Sequence, residues 1–221
     1  MSRDLINFAA RLIDIIEDDS KKHNTTVRFD ESAFTTSAVD SVGSSGYFDD
    51  ATRTLAVATY KPMQEWITTL AHEYCHMTQF VHGAKAWTDL GKDYGKGESA
   101  TNVTFDWLNG IKHGSTLELL AAINTTMMVE FDCEKKTVGL MQFMGAPIDL
   151  EVYTQKALAY VCFYHAVKKY RTWYDPLNPP YSNEAVWSKM PKTFDFDITD
   201  SAKILAMTDF TLCFPKDYKH V

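Results

Sequence analysis

Hydrophobic residues recur every three or four positions in four long stretches of the chain, with charged and polar residues between them. This spacing places the apolar side chains on one face of an α-helix and is typical of amphipathic helices. The second stretch follows Pro62 and precedes Gly83, residue types that are favoured at the beginning of a helix and just after its end. Long helices are therefore predicted over residues 3–22, 63–82, 115–144 and 149–171.

The helical spacing disappears between the first two helices. Residues 46–48 and 53–59 are separated by the mostly polar residues 49–52, a pattern typical of strand, turn and strand. The resulting order predicts an α+β protein, in which a small N-terminal β-sheet packs on the second helix and two long helices follow. A single domain is predicted for residues 1–221, with the parts 1–60, 63–144 and 149–221.

The segments between and after the long helices are predicted to be less regular. Residues 84–114 contain five glycines and are predicted to form a long loop, a feature that often acts as a lid or a substrate wall. Ser115 and Glu118 have the spacing of a capping box at the start of the third helix. The tail after Tyr174 is predicted to be irregular, with one short helix near residues 201–207.

Composition narrows the possible partners and the compartment. The formal net charge is −7, which does not predict binding to nucleic acid or to an anionic membrane surface. No stretch approaches the ~20 apolar residues of a membrane span, and the N-terminus lacks a signal-peptide pattern. The four cysteines form no C-x-x-C pair and lie beside apolar runs. We therefore expect a cytoplasmic protein with reduced, buried cysteines.

Residues 72–76, His-Glu-Tyr-Cys-His, match the pattern H-E-x-x-H within the second predicted helix. His72 and His76 are one helical turn apart, so both imidazoles project from one face and can reach the same metal ion. Glu73 lies about 100° round the helix from His72, so it can reach a water molecule on the metal rather than the metal itself. A carboxylate in this position accepts a proton from the water and later passes it to the leaving amine. The pattern predicts a zinc site with Glu73 as the general base.

A catalytic zinc site takes three protein ligands, so a third ligand is needed. His82 would complete a metzincin-like spacing, but Gln79 stands where that pattern has Gly, and a continuous helix turns His82 about 240° away from His76. The third helix offers Glu130 and Glu134, which are four apart and share a face. We predict that Glu130 binds zinc while Glu134 orients a zinc-binding histidine through its second ring nitrogen. An exchange of these two roles is the remaining alternative.

With these motifs the chain resembles the zincin metallopeptidases, and in particular the gluzincin branch, in which a Glu on a later helix completes the zinc site. Glu130, Asp132 and Glu134 resemble the E-x-E-x-D-like stretch of that branch with Asp and Glu exchanged. More narrowly, the chain is similar to small zinc peptidases encoded by bacteriophages and bacteria. The resemblance spans roughly residues 55–140 and rests on His72 to His76, Gln79, Gly83, Trp87, Trp107 to Gly110, and Glu130 to Glu134. It implies a metallopeptidase-like fold and an intracellular protein, and it implies little about the substrate.

The motifs and the resemblance together predict a zinc-dependent metallopeptidase that acts on a peptide or protein substrate. The strand at Leu55–Thr59 is expected to line the substrate cleft and to pair with an extended peptide. The alternative is a zincin-fold binding protein of weak catalytic activity that grips a host or partner protein. A donor that stabilises the oxyanion is also expected. The sequence leaves its candidates open: Tyr94, His113, Tyr153, Tyr160, Tyr164, His165 and Tyr181.

Overall fold

The computed structural model describes residues 2–36, 43–216 and 218. These residues form an α+β protein in which the strands precede the second helix. In chain order the elements are α1 (Arg3–Lys22), β1 (Thr26–Asp30), β2 (Gly46–Asp49), β3 (Thr54–Ala58), α2 (Met63–Val81), α3 (Lys85–Leu90), α4 (Ala100–Leu108), α5 (Thr116–Phe143), α6 (Leu150–Tyr170), α7 (Glu184–Trp187), α8 (Ser201–Met207) and a 3-10 helix (Phe210–Cys213).

The four long helices predicted from the sequence are confirmed to within one residue at each end, as α1, α2, α5 and α6. The capping box of α5 is also confirmed. The Ser115 hydroxyl accepts from the backbone N–H of Glu118 at 3.3 Å, and the Glu118 carboxylate accepts from the N–H of Ser115 at 2.7 Å. Asp149 caps α6 in the same manner by accepting from the N–H of Val152 at 3.0 Å. These helices therefore begin where local capping signals lie.

The three strands form a mixed sheet in the order β1-β3-β2. β3 runs parallel to β1 and antiparallel to β2, so the predicted strand-turn-strand unit is confirmed as β2 and β3. β1 is an addition to the predicted sheet. Apolar and polar residues do alternate in β1, since Val27 and Phe29 lie between polar residues. This alternation is only five residues long, which is too short to indicate a strand by itself.

One expectation about the sheet is wrong. The strand at Leu55–Thr59 was expected to pair with an extended peptide, yet β3 is the central strand and pairs along both of its sides. A strand whose backbone groups are hydrogen-bonded on both sides has none left for a further strand. The edges of the sheet are β1 and β2, and only an edge can be extended by a peptide.

Helix α2 packs against β3 and β2, and this packing holds the H-E-x-x-H segment against the sheet. Leu55 and Val57 of β3 and Ile67 and Leu70 of α2 are fully buried. Full burial of an aliphatic side chain contributes roughly 1.5–3 kcal/mol relative to leaving it exposed. The apolar face of α2 is therefore fixed on the sheet, and its other positions remain available for the histidines.

The expectation of a long loop at residues 84–114 is also wrong, because α3 and α4 lie within this segment. Ser99 caps α4 by accepting from the backbone N–H of Asn102. Between the two helices, the Asp93 carboxylate accepts from the N–H groups of Gly95 and Gly97, both of which have positive φ. The glycines thus mark a tight turn between two short helices rather than a structureless loop.

The chain forms two compact units. The first comprises Met1–Ala84 and Cys133–Ile148, and the second comprises Lys85–Asp132 and Asp149–Val221. In the second unit Phe163 of α6 meets Trp173, Tyr174, Phe210 and Phe214 edge to face, with ring centroids 5.4–6.1 Å apart. Such aromatic contacts add to apolar burial in its core. The organisation of the chain as a single domain stays a prediction.

The expectation for the cysteines is confirmed, since all four are buried and none forms a disulfide: Cys75, Cys133, Cys162 and Cys213. Within the described residues, no helix is both long enough and apolar enough to cross a membrane.

His165 gives the second unit a predictable dependence of stability on pH. The residue is 1% exposed, Nε2 donates to the carbonyl of Ile198 at 2.8 Å, and Nδ1 lies 2.7 Å from the Ser201 hydroxyl. Burial, helped by the charge of Lys168, lowers the pKa of His165 from 6.5 to about 4. The unfolded chain therefore binds this proton more tightly, and the stabilisation is complete above pH 6.5 and is lost as the pH falls toward 4.

We expect the free energy of unfolding to fall by up to about 3 kcal/mol across this window because of His165 alone. Urea unfolding at several pH values should show a smaller pH dependence for His165→Gln than for the wild type. His82→Gln changes an exposed histidine and serves as the control. An equal slope in all three proteins would contradict the assignment.

Candidate metal centre

The two motif histidines lie side by side on α2. Their ring centroids are 4.6 Å apart and the rings are nearly perpendicular, at 88°. His76 is 8% exposed and the side chain of His72 is 16% exposed. The spacing of four residues therefore gives the shared face that the sequence predicts, in a largely buried setting.

A third side chain that could bind a metal ion comes from α5. Cys133, His72 and His76 each offer one ligand atom, and these atoms all lie within 4.8 Å of one another. The Sγ atom of Cys133 lies 3.7 Å from Nδ1 of His72, and the thiol donates to the His72 carbonyl at 3.2 Å. This buried group can hold a metal ion, and it is the one such group of His, Cys, Asp and Glu found among the residues that the structure describes.

Each histidine is held by a buried oxygen acceptor. Oε1 of Gln79 lies 2.8 Å from Nδ1 of His76, and Oε1 of Glu134 lies 3.1 Å from Nδ1 of His72. Gln79 is 0% exposed and Glu134 is 7% exposed. An acceptor on Nδ1 fixes the ring and favours the tautomer that presents Nε2 to a metal. The predicted role of Glu134, orienting a histidine through its second nitrogen, matches this contact.

The electrostatics of the group favour a cation. Burial by itself lowers the pKa of His72, but the neighbouring Cys133 and Glu134 reverse this effect and raise its pKa well above the ordinary value. Burial and Cys133 also raise the pKa of Cys75 to about 12, so Cys75 remains a neutral thiol. Cys133 and Glu134 thus favour positive charge at His72, and a bound metal ion would supply positive charge at the same place.

Glu73, the predicted general base, is also buried, at 8% exposed. Its side chain lies against the sheet at Gly46, the first residue of β2. The structure thus places the carboxylate-bearing side chain between the helix that carries both histidines and an edge strand of the sheet. Nothing in the structure tests its role as the general base, which stays a prediction.

Glu130, the predicted third ligand, is not a member of the group formed by the histidines and Cys133. It belongs to the second unit, where its charge, after the larger effect of burial, raises the pKa of Tyr160, Tyr164 and Tyr174. Nothing in the structure tests its role as a ligand, which stays a prediction. His82 ends α2 as an exposed residue with its ring 6.1 Å from that of His23, and it is not in the group either.

Cys133 is the residue that sequence reasoning missed as a candidate ligand. It was taken only as a buried thiol, because it belongs to no cysteine pair. Its position in the sequence could have indicated this role, because it lies between Asp132 and Glu134 and three residues after Glu130 on a predicted helix. A thiol one helical turn from a candidate metal-binding acid is itself a candidate, since zinc accepts thiolate as readily as carboxylate.

The candidates for an oxyanion donor all belong to the second unit. Some have partners of their own: Tyr94 lies 2.8 Å from the Thr125 hydroxyl, His113 pairs with Asp106, and both ring nitrogens of His165 are engaged. The role of these residues in catalysis stays a prediction.

No protein-family model, no curated protein and no solved structure matches the chain. What the fold and the site define is therefore a class: an α+β protein with a three-stranded mixed sheet packed on α2, and with a buried histidine, histidine and cysteine group able to bind a metal ion.

Proposed function

We propose that this protein is a zinc-dependent metallopeptidase of the zincin type. The main observation behind the proposal is the group formed by His72, His76 and Cys133, on a helix that also carries the buried Glu73. Two imidazoles and a thiol are donors that zinc prefers, and three protein ligands with an open position are typical of catalytic zinc sites. The donor set therefore fits zinc, and Cys133 is the third ligand that we propose on geometric grounds. Glu130 remains the third ligand that the sequence predicts.

The protein residues have separate tasks in this proposal. Zinc, when bound, acts as a Lewis acid that makes water nucleophilic at neutral pH. Gln79 and Glu134 hold the two imidazoles in a fixed orientation through Nδ1. Glu73 accepts a proton from the attacking water and returns it to the leaving amine as the peptide bond breaks. Burial of Glu73 limits competition from bulk water for this proton.

The edge strand β2 is the part of the sheet that suits an extended peptide. It begins at Gly46, next to Glu73, and among the residues that the structure describes it pairs within the sheet only with β3. A substrate backbone added to this edge would pass close to the general base. We therefore assign to β2 the role that the sequence prediction gave to β3.

The second candidate function is a binding protein that keeps the metal site and has little catalytic activity. Cys133 gives this function some support, because thiol ligands are frequent in structural zinc sites, whereas many catalytic zinc sites use only His and Glu. The two functions differ in whether the metal-loaded protein cleaves peptide bonds.

The test is metal analysis joined to a cleavage assay. We expect the purified protein to hold one zinc ion per chain and to release peptides from dye-quenched casein. Treatment with 1,10-phenanthroline should remove both the zinc and the activity, and added zinc should restore them. A protein that binds no zinc would contradict the proposal, and stoichiometric zinc without cleavage of casein or of a mixed peptide library would support the binding protein instead.

A further inference from the structure

Gly46 begins the edge strand β2 and lies directly against helix α2. A Cβ atom at this position would lie 2.7 Å from Cγ2 of Thr69 and 3.0 Å from both Cγ of Glu73 and the carbonyl oxygen of Ala56. Non-bonded carbon atoms normally approach no closer than about 3.5 Å. The helix can therefore come this close to the strand only because residue 46 has no side chain.

The requirement for glycine here concerns space and not backbone conformation. Gly46 does not have a positive φ, and it pairs with Val57 in the regular antiparallel register of β2 and β3. Alanine can adopt such a backbone without strain. Any effect of Gly46→Ala must therefore come from the added methyl group and from the atoms that it meets.

Two of those atoms belong to one ridge of α2. Thr69 and Glu73 are four residues apart and share the helix face that is turned toward β2. The Thr69 hydroxyl is anchored, since it donates to the carbonyl of Glu65 at 3.0 Å. The strand backbone thus forms a wall against the aliphatic part of Glu73, and this wall limits the rotamers by which its carboxylate can be aimed.

We infer that Gly46 is a positioning residue for Glu73: by presenting bare backbone, it sets the direction in which the buried carboxylate points. The inference rests on the proposed function, because the direction matters only if Glu73 moves a proton in catalysis. A misplacement of a catalytic group by about 1 Å can cost about 100-fold in rate, so a methyl group that displaces Glu73 should have a large effect.

Three variants separate the contact with Glu73 from general overpacking: Gly46→Ala, Thr69→Ser, and the two combined. Serine at 69 removes Cγ2, the closest atom, while it keeps the hydroxyl that donates to Glu65. In the double variant the new methyl group still meets Cγ of Glu73. We expect Gly46→Ala to lower kcat on dye-quenched casein at least about 10-fold with little change in KM or in bound zinc. Compared with Gly46→Ala, the double variant should have a higher thermal stability, but its kcat should remain low.

A second readout does not depend on turnover. Acetohydroxamate binding to the cobalt-loaded protein can be followed in the visible spectrum, and this acid transfers its proton to the general base when it binds. Gly46→Ala should weaken binding in the wild-type background and have no further effect in a Glu73→Gln background, because the two changes act through one group.

Several results would overturn the inference. These are a Gly46→Ala variant with full kcat, a double variant whose kcat is restored along with its stability, and an equal loss of hydroxamate binding in the Glu73→Gln background. If Gly46→Ala does not fold, the double variant is compared with Thr69→Ser instead, since these two proteins also differ only by the methyl group at residue 46. A wild-type protein that neither binds metal nor cleaves casein would instead refute the proposed function, so the two failures are distinguishable.

Discussion

Replacing Glu73 with Gln is expected to remove most of the peptide hydrolysis and to leave zinc binding unchanged. Gln has nearly the same shape as Glu and keeps the packing against β2, but its amide does not accept a proton at neutral pH. General-base catalysis contributes about 10²–10⁴-fold in rate, and we expect a loss of about 10³-fold in kcat on dye-quenched casein. Zinc content should remain one ion per chain, because Glu73 is not in the group of metal-binding atoms.

The matched control is Glu65→Gln. Glu65 lies on the same helix and is exposed, so this substitution makes the same chemical change at a position outside the metal group. Its kcat and zinc content should equal those of the wild type. Full activity of Glu73→Gln would remove Glu73 from the mechanism, and loss of zinc from it would show that the carboxylate acts as a ligand and not as a base.

The parts of the fold that the sequence predicted correctly are those decided by local signals. The bounds of α5 and α6 follow from apolar spacing, and those of α5 also from the capping box of Ser115 and Glu118. His72 and His76 were also correctly placed, because two residues four apart on one helix share a face whatever surrounds them. Such predictions need only the geometry of one helix.

The order of the strands depends on contacts between distant segments, and there the sequence prediction failed. The run at Leu55–Thr59 shows that a strand forms, but not that β1 pairs with it in parallel and makes it the central strand. The β1 segment lies more than twenty residues before β3, beyond a segment rich in Ser and Thr. Hydrophobic alternation reports which residues are buried, and pairing partners must be fixed by tertiary packing.

The candidate metal site also has a part that local sequence signals predict and a part that depends on tertiary contacts. The pair of histidines on α2 was predictable from the sequence. Cys133 lies near them only because α5 packs close to α2 in the folded chain. Gln79 was interpreted as a departure from the metzincin pattern and not as a hydrogen-bond acceptor for His76. Glu134 is an intermediate case. Its role at a histidine was predicted from the need of a buried acid for a partner, and the structure identifies His72 as that histidine.

The identity of the third ligand is the point at which the sequence and the structure favour different residues. We expect Cys133→Ser to weaken zinc binding by more than about 100-fold, because it removes a ligand. Glu134→Ala should weaken it by about 10–100-fold, the usual cost of losing an orienting acceptor. Glu130→Gln should bind zinc as the wild type does. Dissociation constants measured in competition with a chromophoric chelator rank the three variants.

Replacing zinc with cobalt identifies the third ligand without a measurement of affinity. A thiolate bound to Co²⁺ produces a charge-transfer band in the near ultraviolet, so the wild type should show this band and Cys133→Ser should lack it. Cys162→Ser, which removes a buried thiol of the second unit, is the control and should keep the band. To bind the metal, the Cys133 thiol must give up its proton and its bond to the His72 carbonyl, and zinc uptake by the wild type should therefore strengthen with rising pH. A wild-type protein without the band, together with loss of zinc from Glu130→Gln, would instead make Glu130 the third ligand and leave Cys133 as a thiol that braces the backbone of α2 at His72.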